Sequence, residues 1–324
     1  MIKISMFSER TTTMKKILLP NGLSVSEVAL GAMMFGTTVE KKDAYECLDL
    51  FLEMGGNFID TSNNYAHWAG TGDESEMLLG EWLRDRGCRD KIVLATKVGF
   101  DRHGVGAGLK KEQIEYWCDE SLRKLGTDYI DLYYAHTDDM DTPMEENVEA
   151  FDSLVKKGKV RVLGGSNYDT WRFSEFNMMA KEKGCTPYTV MQQRFSYLNC
   201  RLDLKPNYIF NENVGRERLR YLENKDIPLV AYSSLIRGAY EDISRLPENY
   251  IGGARFETLA NMAKEKGVTN SALAVAWMCN AHRMKGFPRV IPLFSSSNVA
   301  HFTDNCAGAD LVLTDEEMTI LTNA

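Results

Sequence analysis

Long hydrophobic runs are missing from this 324-residue chain: none approaches the roughly 18 apolar residues that a membrane span requires. The N-terminal stretch MIKISMFSERTTTMKK lacks the apolar core of a secretory signal. Residues 1–14 read as a loose tail, with Met14 as an alternative start. A basic excess is also absent, since 38 Lys and Arg face 46 Asp and Glu for a net charge of -8. That balance argues against a nucleic-acid partner, which calls for a basic face. Cys-x-x-Cys pairs are lacking too. The seven cysteines (Cys47, Cys88, Cys118, Cys185, Cys200, Cys279 and Cys306) are scattered and odd in number, the usage of a reducing cytoplasm in which thiols pack as small apolar groups. No linker, low-complexity tract or short repeat divides the chain, so residues 15–324 read as one domain. A hydrophobic content of 44% is enough for a substantial core.

Two tempting signals also lack a necessary part. Gly104-Val105-Gly106-Ala107-Gly108 resembles a phosphate loop, but Leu109 stands where the dinucleotide fingerprint needs a third glycine. It reads instead as a flexible loop before a helix. His136-Thr137-Asp138-Asp139-Met140-Asp141 lacks the spacing of a calcium loop and reads as a solvated acidic loop, so no metal is expected.

What the chain does have is alternation. Short apolar runs end near Gly31, Asp60, Lys97, His136, Ser166, Gln192, Tyr232 and Phe294, with amphipathic helical patterns between them. Eight such βα units are what a closed (β/α)8 TIM barrel needs. Ala44, Cys47, Leu48, Phe51 and Leu52 mark one helix face, and Ile114, Trp117, Cys118, Ser121, Leu122 and Leu125 another, within a helix expected over Lys110–Lys124. Ahead of the first barrel strand, Ile17-Leu18-Leu19 and Leu23-Ser24-Val25 flank Pro20-Asn21-Gly22, a hairpin signal. Residues 198–220 and 236–252 read as long loops, the usual seat of binding at a barrel mouth.

Three successive strand ends carry four reactive side chains. Asp60 closes Asn57-Phe58-Ile59-Asp60, Tyr65 follows five residues later, Lys97 closes Ile92–Lys97, and His136 closes Tyr129–His136. Each alone has an ordinary reading: a helix cap, a packed ring, a solvated strand end, a core histidine. Together, in register around one mouth, they suggest proton transfer. A phenol with a pKa of about 10 is a weak acid at neutral pH, and an ammonium beside it favours phenolate. Lys97 is expected to lower the pKa of Tyr65, a change of about three units corresponding to roughly 4 kcal/mol. Asp60 would hold Lys97 charged, and His136 would donate a hydrogen bond to a substrate carbonyl oxygen.

This set, including Asp60-Thr61-Ser62-Asn63-Asn64-Tyr65, resembles the catalytic tetrad of the aldo-keto reductases. The resemblance extends to a barrel floor closed by a hairpin, and runs from Ile17 to near Leu321. It implies that Ser166 and Asn167 (in Gly164-Gly165-Ser166-Asn167-Tyr168) and Gln192 hold a nicotinamide carboxamide. Asp60 would border the cofactor as well. Tyr232 would stack on the nicotinamide ring, and Ser233, Leu235, Arg237 and Gly238 would approach the pyrophosphate. Departures from the family pattern are Ser234 for a usual proline, which would loosen the turn, and Phe195 for a usual tyrosine. Tyr65, Trp68 and His136 would line the substrate pocket. After the eighth strand, Ser295, Ser297, Asn298 and His301 stand where the family places cations that grip the 2′-phosphate of NADP(H), while Asn305 matches an adenine contact. The cofactor expectation is therefore NAD(H) or NADP(H), leaning towards NAD(H), unless Arg289 or a loop cation supplies the grip. The implied activity is hydride transfer to or from the carbonyl carbon of a small aldehyde, ketone or sugar, in a cytoplasmic protein of open oligomeric state. A cofactor-sensing regulatory subunit and a non-redox barrel lyase or isomerase are the alternatives.

Overall fold

The computed structural model describes residues 14–101, 106–201, 213–296 and 299–324. Strands β1 (Lys16–Leu18) and β2 (Ser24–Ser26) pair antiparallel, Ile17 facing Val25. The turn between them follows from its residues. Pro20 fixes one dihedral, Asn21 Oδ1 accepts from the Leu23 N–H at 3.1 Å, and Gly22 takes φ +88°, a conformation glycine adopts without a steric penalty.

Eight further strands are β3 (Ala29–Gly31), β4 (Phe58–Asp60), β5 (Val93–Val98), β6 (Ile130–Ala135), β7 (Val160–Ser166), β8 (Tyr188–Arg194), β9 (Leu229–Tyr232) and β10 (Val290–Phe294). They close into a parallel barrel in the order β10-β3-β4-β5-β6-β7-β8-β9. Strand side chains alternate between faces with period two, and here that alternation builds the site. Ala29, Phe58, Val93, Ala95, Leu132, Tyr134, Val162, Val190, Val230, Ile291 and Leu293 form one apolar cluster inside the barrel, capped by Leu19 and Val25 of the hairpin. The same parity carried to the C-terminal ends gives Asp60, Lys97, His136, Ser166, Gln192 and Tyr232. Asn21 Nδ2 ties the hairpin to Thr189 Oγ1 of β8 at 3.1 Å. The barrel with its floor hairpin is the architecture expected from the sequence.

Helices cover the outside: α1 (Lys41–Glu53), α2 (Glu74–Arg86), α3 (Lys111–Leu125), α4 (Met144–Lys156), α5 (Thr170–Lys183), α6 (Arg216–Asn224), α7 (Gly253–Lys266), α8 (Asn270–Asn280), α9 (Val299–Ala307) and α10 (Asp315–Asn323). Helix α1 buries Ala44, Cys47, Leu48 and Phe51, and α3 buries Ile114, Trp117, Cys118, Ser121 and Leu125, close to the expected faces.

Four expectations change. Met14 is not tail: its side chain is buried and its N–H donates to the Met54 carbonyl at 2.7 Å. The segment 198–220 is not all loop, because α6 begins at Arg216; residues 202–212 lie outside the described residues. The acidic loop after His136 is only partly solvated. Arg172 forks onto Asp138 at 2.7 and 3.0 Å, and Asp139 accepts from the Leu109 N–H at 2.7 Å. Ser234 does not loosen its turn, since its buried hydroxyl donates to the Leu293 carbonyl of β10 at 2.9 Å. Residues 102–105 of the glycine-rich loop also lie outside the described residues. Among the described residues no helix is long and apolar enough to cross a membrane, and no group of three or more His, Cys, Asp or Glu is placed to hold a metal.

Candidate active site

Asp60 ends β4 and Lys97 is the last residue but one of β5, both with fully buried side chains. Lys97 Nζ donates to Asp60 Oδ1 at 2.5 Å, to the Thr61 carbonyl at 2.6 Å and to Tyr65 Oη at 2.5 Å. Tyr65 Oη in turn donates to Asp60 Oδ1 at 2.9 Å, and Gln192 Nε2 from β8 donates to Asp60 Oδ2 at 2.8 Å. An ammonium surrounded by three oxygens makes strong charge-assisted bonds. Burial still pulls the Lys97 pKa below its ordinary value, with Asp60 opposing that fall.

Tyr65 departs from expectation. Its phenol is pushed well above its ordinary value, first by burial and then by the adjacent Asp60 carboxylate. A phenolate there would lie against that carboxylate as well as against Lys97. The arrangement keeps the phenol protonated, in the form that can give a proton away.

His136 follows β6 and meets Tyr65 edge to face, ring centroids 5.8 Å apart, with Phe100 on another side at 4.5 Å. Burial, then the charge of Lys97, hold its imidazole well below the usual value, so it is neutral. Ser62 Oγ donates to Asn64 Oδ1 at 3.0 Å and stands 3.1 Å from His136 Nδ1. With the Ser62 hydrogen used on Asn64, Nδ1–H donates to Ser62 and Nε2 is left as an acceptor. The expected donor role of His136 calls for the opposite relay, with the Asn64 amide turned over.

The cofactor side is assembled in part. Asn167, just beyond β7, adopts φ +57°; its Nδ2 donates to the His136 carbonyl at 2.9 Å and to Ser166 Oγ at 3.1 Å. Its Oδ1 accepts from Tyr232 Oη at 2.7 Å. Tyr232 is half-buried at the end of β9, with Leu235 buried just beyond it. The turn that follows holds Ser233, Ile236 and Arg237 at positive φ (54°, 47° and 53°). Such non-glycine residues each cost on the order of 1–3 kcal/mol and cluster where binding sites are over-determined by their surroundings. Gly238 continues the positive-φ run, and Arg237 is exposed. Ser295 and His301 are exposed beyond β10, and Asn305 is buried on α9; Ser297 and Asn298 lie outside the described residues. Trp68, 63% exposed and edge-on to His67, stands at the rim and not among the tetrad. Arg289 precedes β10 at the opposite end of the barrel, 3.9 Å from Glu27, and is remote from the mouth.

Reading by motif missed Ser62, Phe100, Tyr134 and Arg194. Two of these have a usable signal, the barrel parity itself: Tyr134 lies two residues before His136, and Arg194 two after Gln192. Tyr134 is fully buried beneath Lys97, whose Nζ is 5.9 Å from its ring, and the Arg194 guanidinium sits 5.9 Å from the Tyr232 ring.

Comparison with known proteins identifies the family. A family model described as the Aldo/keto reductase family matches residues 27–324. A norsolorinic acid reductase of Aspergillus flavus is 32% identical, over 92% of this chain and 77% of its own length. A Saccharomyces cerevisiae protein named as a probable aryl-alcohol dehydrogenase is 29% identical over 88% of each chain. An aldo/keto reductase from Klebsiella pneumoniae, solved with NADP and acetate, superposes with a TM-score of 0.72 at 26% identity, covering 96% of this chain and 95% of the other. Matched over nearly its whole length, and with a buried lysine and aspartate bonded to a partly buried tyrosine at the mouth of the barrel, the chain belongs to the aldo/keto reductase family, oxidoreductases that act on small carbonyl compounds with a nicotinamide cofactor.

Proposed function

We propose that this protein reduces the carbonyl carbon of a small aldehyde, ketone or sugar, and oxidises the alcohol in reverse, with Tyr65 as acid and base. The carrying observation is the contact of Lys97 Nζ with both Asp60 and Tyr65. The bound nicotinamide supplies or accepts the hydride. Tyr232 offers a half-buried ring at the mouth bonded to the Asn167 amide, and the Gln192 amide stands on Asp60, a surface suited to a flat ring bearing a carboxamide. Rotation of the Tyr65 hydroxyl from Asp60 towards the mouth directs its hydrogen at the developing alkoxide. Lys97 stabilises the phenolate left behind, and Asp60 keeps Lys97 charged against its burial. His136 and Phe100 wall the space beside Tyr65, and aromatic walls suit a flat substrate. Aryl aldehydes and ketones therefore head the panel, in keeping with the name of the yeast relative.

The preference for NAD(H) belongs to the same proposal. Residues 295–301 contain no lysine or arginine, and Arg289 sits at the wrong end of the barrel to replace them. Lys41 and Lys42 on α1 line a groove shared with Val299 and are candidates for a phosphate grip, Lys41 being bonded to Glu81 at 2.6 Å.

The test is steady-state consumption of NADH and of NADPH with aryl, aliphatic and sugar carbonyls, read at the nicotinamide absorbance band. Turnover of any carbonyl supports the proposal. Cofactor binding without turnover points to a regulatory subunit, and no cofactor binding to another class of barrel enzyme.

A further inference from the structure

Helix α2 begins with two buried polar residues, Ser75 and Glu76, and each bonds to the strand end next to a catalytic side chain. Ser75 Oγ lies 2.7 Å from Thr61 Oγ1, the residue after Asp60, and donates to the Ala32 carbonyl at 2.7 Å. Thr96 Oγ1, on the residue before Lys97, donates to Glu76 Oε1 at 2.7 Å. Glu76 is fully buried, and its Oε2 lies 3.7 Å from Lys124 Nζ of α3, which is itself 2.5 Å from Asp73. A buried carboxylate that shares a cation with another acid acts on its surroundings through a low-dielectric medium.

We infer that Glu76 is a positioning residue for Lys97: through Thr96 it fixes the end of β5, and its carboxylate is a second buried negative charge behind the ammonium, in addition to Asp60. Asp60, Tyr65 and Tyr134 lie against Lys97 and His136 feels its charge, while Glu76 is bonded to the neighbouring residue Thr96 on the outer side of the strand. The groups around Glu76 are Thr96, Lys124, Asp73 just before its own helix, Cys118 of α3 and Tyr133 of β6. Glu76 supports the charged form of Lys97 in company with Asp60, against burial. The arrangement divides the work. Asp60 touches the ammonium and the phenol at the mouth, while Glu76 acts from the helix layer, where a ligand cannot displace it.

The kinetic part of the test rests on the proposed carbonyl reduction; the titration part does not. In Glu76→Gln the amide oxygen still accepts from Thr96 while the charge is gone. Lys97 should then lose its proton at lower pH. The alkaline limb of kcat/KM should move down by about one pH unit and kcat should fall about tenfold, with the cofactor KM changed by less than about twofold. Heteronuclear NMR of the lysine side chains, with the Lys97 signal identified by its loss in Lys97→Met, should show the same downward movement without any substrate. Glu76→Asp, which keeps the charge, should restore most of the limb. Ser75→Ala, which removes the parallel brace but no charge, should leave the Lys97 titration in place whatever it does to thermal stability. If Glu76→Gln does not fold, the pair Glu76→Gln with Lys124→Met leaves only Asp73, which reaches solvent, and should show the same direction of shift. An unmoved Lys97 titration in the variant that folds overturns the inference, even if kcat or Tm has dropped. A parent protein that turns over no carbonyl would overturn the proposed function and leave the titration to judge Glu76.

Discussion

Tyr65, Lys97 and Asp60 share hydrogens in a small space, and the chemistry expected of each depends on the others. Tyr65→Phe keeps the ring and removes the acid. Carbonyl reduction should fall about 10²–10⁴-fold, as for loss of a general acid, while nicotinamide affinity measured by fluorescence titration stays near the parent value; a variant with near-parental turnover would assign the proton to another group. His136 makes a different prediction, about stability. Its folded pKa is held well below the usual imidazole value, by burial first and then by Lys97. As pH falls through about 6.5, the ordinary value, the unfolded chain takes up a proton that the folded chain refuses. The stability attributable to His136 is therefore present above that pH and lost progressively below it, down towards the depressed folded value. His136→Gln should flatten the dependence of Tm on pH between about 6.5 and 5. Parallel curves for parent and variant would show that the imidazole takes up its proton in the folded protein as easily as in the unfolded chain. The grouping of Asp60, Tyr65, Lys97 and His136 was legible because three of them close apolar runs and Tyr65 follows shortly after the first. The direction of the Tyr65 shift was not, because a spacing pattern reports that Lys97 is near but not that the phenol's own hydrogen bond goes to Asp60.

At the scale of elements, the strands were the plainest feature of the sequence. All eight end within two residues of the positions read from the apolar runs, since a buried parallel strand has no polar face to blur its signal. Helix α2 shows what such patterns leave out. Its burial of Ser75 and Glu76 breaks the apolar periodicity that marks a packed face, and only the structure shows these residues bonded to Thr61 and Thr96. Close approach of α2 and α3 also depends on Gly80, where an added Cβ would lie 2.2 Å from the Lys124 carbonyl oxygen. Gly80→Ala should therefore force the helices apart and destabilise the fold by about 1–3 kcal/mol, in the range for overpacking. Scanning calorimetry should show a drop of roughly 1–2 °C for each kcal/mol in a chain of this size, and an unchanged Tm would mean that the two helices separate freely. The loop regions were harder to read. Part of 198–220 is the start of helix α6, whose charged opening Arg216-Glu217-Arg218 masks a narrow buried stripe of Leu219 and Leu222.

For the molecule as a whole, period-two alternation around a closed barrel stacks an apolar column below and a polar crown above, so fold and site are two readings of one pattern. What that pattern does not contain is the identity of the dinucleotide, which depends on loop and helix cations outside the barrel. Titrating NADH and NADPH against the purified protein should show NADH binding at least as tightly; NADPH tighter by about tenfold or more, roughly the worth of one charge-assisted contact, would place the phosphate grip on a cation such as Lys42. The floor hairpin carries the last consequence. Leu19 and Val25 seal the end of the column opposite the site, so the barrel is a cup and not a tube. Lys97, its side chain fully buried, therefore lies beneath Tyr65 with the closed end of the column behind it. Under the proposed reduction a substrate seated against Tyr65 would be the stopper of that vessel, and the ammonium, dry before it arrives, would stay dry throughout.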